Sequence, residues 1–129
     1  MGMPAAKQGD RVTAIDSHLI QPPGTAPPSP VPHPFSGILS QQLSSDVKIE
    51  GRAAATVSSV AINTPPHLPM GGTFVNPPTN RGTITAGSTT VRINNRAAAR
   101  AGDAAQTCAD PVPNTSGQVV ATSTVRIGG

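Results

Sequence analysis

Two segments of the chain, Val47-Lys48-Ile49-Glu50-Gly51-Arg52-Ala53-Ala54-Ala55 and Val91-Arg92-Ile93-Asn94-Asn95-Arg96-Ala97-Ala98-Ala99, align without a gap. Half of a further copy opens the sequence, where Pro4-Ala5-Ala6-Lys7-Gln8-Gly9-Asp10 matches Ala97-Ala98-Ala99-Arg100-Ala101-Gly102-Asp103. Its missing half stands at the other end, where Thr124-Val125-Arg126-Ile127-Gly128-Gly129 repeats Thr90-Val91-Arg92-Ile93-Asn94-Asn95. The chain therefore reads as a permuted three-fold repeat. A repeated unit of this size cannot bury its apolar face alone and packs against its copies, so the copies are expected to close around an axis. Val-basic-Ile predicts a short strand with one buried face, and Glu-Gly or Asn-Asn suits a tight hairpin turn. The alanine runs could open helices. Close backbone approach at a narrow place is preferred, because Gly, Ser or Pro soon interrupts each run.

Composition sets the demands on such a fold. With 129 residues the chain fits one domain. Aromatic content is 2%, with Phe35 and Phe74 but no Trp or Tyr, so the side chains that usually dominate a core are scarce. Fifteen Pro and thirteen Gly argue against long helices. Disorder is opposed by a charged fraction of only 12% and by the regular placement of Val and Ile. The net charge of +3 is spread thinly, without basic runs or interleaved aromatics, which argues against nucleic-acid binding. A single cysteine excludes an internal disulfide and leaves Cys108 as a buried thiol, a reactive thiol or a metal ligand. The sequence has no signal-peptide pattern at its start and no run of membrane-spanning length. Synthesis in a cytoplasm is expected, with export by a machine that reads no N-terminal signal. Met1-Gly2 is not a myristoylation start, since Ala6 stands where Ser or Thr is required.

The repeats also organise the metal-binding residue types. His18 follows Ala5 by 13 residues, His67 follows Ala54 by 13, and Cys108 follows Ala98 by 10. The remaining histidine, His33, lies in the Pro-rich stretch 21–34, which is expected to loop back in extended form. Three imidazoles and a thiolate suit the closed tetrahedral coordination of structural zinc. The spacing has no CxxC or HExxH signature, so the repeat placement carries the reading. The alternative treats the histidines as ordinary exposed imidazoles and Cys108 as a small buried hydrophobe. A domain poor in large apolar side chains gains stability from a metal that couples its binding to folding.

At this point the chain resembles the PAAR-repeat family, named for Pro-Ala-Ala-Arg. Pro4-Ala5-Ala6-Lys7 with Gly9-Asp10 is similar to the family motif with Lys in place of Arg, and Ala97-Ala98-Ala99-Arg100 with Gly102-Asp103 keeps Arg and replaces Pro. Gly87-Ser88, Val91-Arg92-Ile93-Asn94 and Cys108 look like the family's third unit. The middle copy, Ala53-Ala54-Ala55-Thr56, lacks a Gly-Asp. The resemblance implies a mostly β fold of short strands and hairpins, a single pseudo-three-fold conical domain spanning 1–129 with a Pro-rich loop at 21–34 and no effector extension. It further implies one zinc near the apex, held by His18, His33, His67 and Cys108. The implied role is a structural tip that caps the trimeric spike of type VI secretion and related phage-tail-like machines, docking through its base on a spike protein of the VgrG type. Effector cargo is a further expected partner, and a small zinc-stabilised adaptor linking cargo to the spike is the alternative role. The protein would be made in a bacterial cytoplasm, delivered outside the cell, and meet a target membrane only during puncture.

Catalysis finds little support. A zinc hydrolase needs an open coordination position and a general base, whereas Asp10 and Asp103 are accounted for in the repeat turns. No Gly-x-Ser-x-Gly elbow is present. A disordered adaptor offering Pro22-Pro23 and Pro27-Pro28 as polyproline ligands lacks a flanking basic cluster.

Overall fold

The computed structural model describes residues 2–129; Met1, where the expected 1–129 domain begins, lies outside the described residues. The described chain is built of strands without helices. They are β1 (Met3–Pro4), β2 (Arg11–Gln21), β3 (Ser29–Gln41), β4 (Lys48–Ile49), β5 (Arg52–Ala53), β6 (Val60–Asn63) and β7 (Thr73–Phe74). After these come β8 (Arg81–Ile84), β9 (Arg92–Ile93), β10 (Arg96–Ala97), β11 (Ala104–Thr107), β12 (Asn114–Val120) and β13 (Arg126–Ile127).

The repeats form three equivalent two-stranded units. β4 pairs with β5 and β9 with β10, through turns whose central residues, Glu50-Gly51 and Asn94-Asn95, all have positive φ. That is the backbone a tight hairpin requires to match strand twist. The remaining unit joins the two ends of the sequence: β1 pairs with β13, Met3 opposite Ile127 and Pro4 opposite Arg126. The units meet in a closed ring of hydrogen bonds. Ala6 N–H donates to Ala99 O at 3.0 Å, Ala99 N–H to Ala55 O at 3.1 Å, and Ala55 N–H to Ala6 O at 3.0 Å.

The ring explains the alanines. Ala5, Ala6, Ala54, Ala55, Ala98 and Ala99 are each 0% exposed, and side chains on successive residues of extended chain face opposite ways. Ala6, Ala55 and Ala99 join the main core, while Ala5, Ala54 and Ala98 pack with Ile49, Ile93 and Ile127 in a second apolar layer. A larger side chain at any of these places would force the three backbones apart.

Each repeat then turns in the same way. In the outer copies Asp10 accepts from Lys7 N–H at 3.0 Å and Asp103 from Arg100 N–H at 2.7 Å. In the middle copy, which lacks Gly-Asp, Ser59 Oγ accepts from Thr56 N–H at 2.9 Å. Ser58 there adopts φ 84°, close to the 92° of Gly9 and 88° of Gly102. The turn geometry survives because a hydroxyl replaces the carboxylate as acceptor and Ser58 tolerates the left-handed region.

Beyond the ring, β2, β3, β6, β8, β11 and β12 form a closed, cone-like antiparallel barrel, with β12 returning to pair with β2. Where all six strands pair, closure leaves no edge. Val12, Phe35, Leu39, Ala61, Ile84, Ala105 and Val119 fill it. Phe35 is the one large ring in this core and fits only because glycines face it: a Cβ on Gly37 would stand 2.8 Å from its Cε1, and one on Gly82 at 3.1 Å.

The Pro-rich segment departs from expectation. Rather than a loop over 21–34, Gln21 ends β2, residues 29–34 belong to β3, and the connection is residues 22–28. Pro30, Pro32 and Pro34 lie opposite Leu19, Ser17 and Ile15. Their spacing by two puts every missing N–H on the same side of the strand. Only residues 37–41 of β3 pair with β6, so that side is a free edge along the prolines, where a strand accepts Pro.

Candidate metal centre

β2 alternates inward residues from Val12 through Asp16 to His18, the last two 0% exposed. The rise of a strand places His18 about 20 Å beyond Val12, at the end of the barrel away from the alanine ring. β3 supplies His33, which lies opposite Asp16 in register. Cys108 follows directly on β11. His67 lies between β6 and β7, anchored by its N–H to Asn80 Oδ1 at 2.9 Å, the same oxygen that Asn63 Nδ2 binds at 3.2 Å.

The three imidazoles stand edge to face, with ring centroids 4.9 Å apart for His18 and His67, 5.4 Å for His18 and His33, and 5.5 Å for His33 and His67. Cys108 Sγ is 3.8 Å from His18 Nε2. Two of the rings have fixed tautomers. His18 Nδ1 meets the carboxylate of Asp110 at 3.1 Å and His33 Nδ1 meets the carbonyl of Val31 at 2.8 Å. Both partners only accept, so each Nδ1 carries the proton and each Nε2 keeps a free lone pair. His33 Nε2 is buried without any hydrogen-bond partner. A metal is the natural occupant for such an atom beside other donors, because a buried acceptor left unpaired is costly. An outer carboxylate orienting a ligand imidazole, as Asp110 orients His18, is the usual support of a metal site.

Asp16 belongs to the same cluster. Its Oδ2 lies 3.3 Å from His67 Nε2 and 3.5 Å from Cys108 Sγ, while its Oδ1 accepts from Thr107 Oγ1 and from Asn114 Nδ2. Asp16, His18, His67 and Cys108 each offer one donor atom, and these atoms all lie within 4.8 Å of one another, a group able to hold a metal ion. Of the four residues singled out from sequence, His18, His67 and Cys108 belong to this group, with Asp16 as its fourth member; His33 is outside it, its ring 5.4 Å from that of His18 and 5.5 Å from that of His67. Sequence reading missed Asp16 because a lone aspartate has no ligand spacing of its own. The available signal was strand alternation, which puts Asp16 on the same face as His18.

Electrostatics favour an uncharged His67 and a protonated Cys108 thiol before metal binds. Burial lowers the pKa of His67, opposed by its hydrogen bond to Asp16. Burial likewise raises the Cys108 thiol to about 11. His18 and Cys108 border a cleft of about 600 Å³ that also includes Asn76, Thr107 and Asp110. Imidazole, thiolate and carboxylate together make a borderline-soft donor set that suits zinc or a neighbouring divalent transition metal.

Residues 76–129 match the PAAR motif family. The likeness is confined to this C-terminal stretch. The matched segment runs from β8 to β13 and includes the hairpin β9–β10, the Arg100–Asp103 turn and Cys108. Asp16, His18, His33 and His67 lie outside it, so their placement rests on geometry alone. No curated protein matches the chain.

Proposed function

We propose that this protein is the tip of a contractile injection spike, capping and sharpening a trimeric spike protein of the VgrG type and aiding its passage through the target envelope. The observation that carries this reading is the alanine ring, by which one chain builds a three-fold end. Such an end can meet a true trimer with the same contacts three times, and short strand edges can extend the partner's strands.

The opposite end suits penetration. Residues 21–31 and 67–79 contain no Asp, Glu, Lys or Arg. Apart from Pro4, every proline falls in 22–34, 65–78 or 111–113, the segments around the metal cluster. A stiff surface without charge enters an apolar medium at lower cost than a charged one.

In this reading one zinc per chain is held by His18, His33, His67 and Cys108. His33 is favoured as the fourth ligand because its buried Nε2 has no other partner, and Asp16, which turns Oδ2 to the same cluster, is the competing donor. The metal ties β2, β3, the His67 loop and the end of β11 at one point, where aromatic core is lacking. A site filled by four protein donors holds no water, so its role is structural rather than catalytic. The protein is made and assembled in the bacterial cytoplasm and leaves on the spike, with effector cargo as a further passenger.

Mixing the purified protein with a purified VgrG-type trimer, followed by light scattering on the eluted complex and elemental analysis, tests the reading. One chain per trimer and one zinc per chain are expected. Three chains per trimer, or no complex at all, would sink it.

A further inference from the structure

The hairpins β4–β5 and β9–β10 and the pair β13–β1 carry the same charge at one equivalent exposed position. Lys48, Arg92 and Arg126 each precede the buried isoleucine of their unit, Ile49, Ile93 and Ile127, and each pairs with the residue leading into the alanine ring: Ala53, Ala97 and Pro4. All three cations are exposed.

The neighbouring positions have diverged between copies. Glu50, Asn94 and Gly128 correspond to one another, as do Arg52, Arg96 and Met3. A solvated strand position needs only a polar side chain, and Thr, Gln or Glu would serve the fold equally well. Retention of a cation in every copy is therefore not demanded by folding.

Nor are these cations neutralised within the described protein. None of the three has a carboxylate partner among the described residues: Arg92 reaches Asn95 O at 3.2 Å and Arg126 reaches Gly2 O at 2.9 Å. By contrast Lys7 and Arg100, in the repeat turns, are paired with Asp10 and Asp103. With Arg52 and Arg96, five of the nine basic residues lie on these paired strands.

We infer that Lys48, Arg92 and Arg126 form a three-fold cationic ring that docks against a three-fold partner carrying one carboxylate per subunit at its end. The inference rests on the spike-tip reading and adds the chemistry of its contact. A pseudo-symmetric set of charges meets a symmetric acidic set with the same register at each third of a turn, so complementary charge steers encounter and selects the acidic trimer over a neutral or basic one. Exposed ion pairs of this kind are salt-sensitive.

The test measures binding of the zinc-loaded protein to a purified VgrG-type trimer at low and high salt, for the wild type, each single glutamine variant, the triple Lys48→Gln, Arg92→Gln, Arg126→Gln variant, and Arg11→Gln on the barrel wall as a control. Each single variant should lose affinity by about two- to five-fold, with similar losses at all three positions. The triple variant should lose roughly ten- to a hundred-fold and most of its salt dependence. Arg11→Gln should bind as wild type. Zinc content and melting temperature of the triple variant, unchanged from wild type, separate lost docking from lost folding. If wild type binds and the triple variant binds equally, the cationic ring is wrong while the tip reading stands. If wild type fails to bind any trimer, the tip reading itself fails. Tighter ring-dependent binding to duplex DNA than to the trimer would also overturn the inference.

Discussion

His18 Nε2 faces Cys108 Sγ across 3.8 Å, while Asp110 holds the opposite ring nitrogen at 3.1 Å. The imidazole is thus ready to ligate, but the thiol is not, since burial holds its pKa near 11. Zinc binding at neutral pH should release about one proton from Cys108. Calorimetry in buffers of different ionisation enthalpy measures this directly, and a Cys108→Ser variant should bind zinc far more weakly with no thiol proton released.

The ranking of the other ligands follows from where they sit. His33 on a loose loop would be the most dispensable ligand, but it stands in β3, buried and opposite Asp16. His33→Ala should therefore weaken zinc binding as severely as His18→Ala. Asp16→Asn should weaken it less. Competition with a chromophoric chelator gives the order, and a larger loss for Asp16→Asn would make the carboxylate the fourth ligand.

The metal-free protein should be most stable at intermediate pH. Burial lowers the His67 pKa, so between that value and the ordinary 6.5 the unfolded chain binds more protons, and stability falls as pH drops through this window. Burial raises the Cys108 pKa from 9.0 to about 11, so stability also falls as pH rises across that range. Thermal melts after chelation should show a plateau between these limits. Zinc-loaded protein should lack the alkaline decline, because its thiolate is already formed.

The middle turn offers a paired test. Ser58→Gly should stabilise by about 0.5–1 kcal/mol, since the residue already has a left-handed backbone. Ser59→Asp restores the residue of the outer copies but should destabilise by about 1–3 kcal/mol. Ser59 Oγ donates to Gln42 O at 2.7 Å, and a carboxylate there would face that carbonyl. Denaturant titration of the two variants reads both signs.

Gly37→Ala should destabilise by about 1–3 kcal/mol through overpacking. Its Cβ would meet Phe35 at 2.8 Å and Ala61 at 2.9 Å, inside a closed barrel with nowhere to shift.

The repeats were legible in the sequence because each carries its own local signals: Val-basic-Ile for a strand, Asn-Asn or Glu-Gly for a turn, and alanines where backbones converge. The permutation also predicted that β13 would complete β1. His18, His33, His67 and Cys108 stood out as the residue types that bind soft metals. Asp16, the strand conformation of residues 29–34 and the ring of hydrogen bonds were decided only by tertiary structure. An aspartate becomes part of a cluster when distant strands bring His67 and Cys108 beside it. Alternate prolines become a strand when a partner covers one edge and leaves the other free. Alanine backbones close a ring only when three segments far apart in sequence meet, because each donor finds its acceptor in a different repeat.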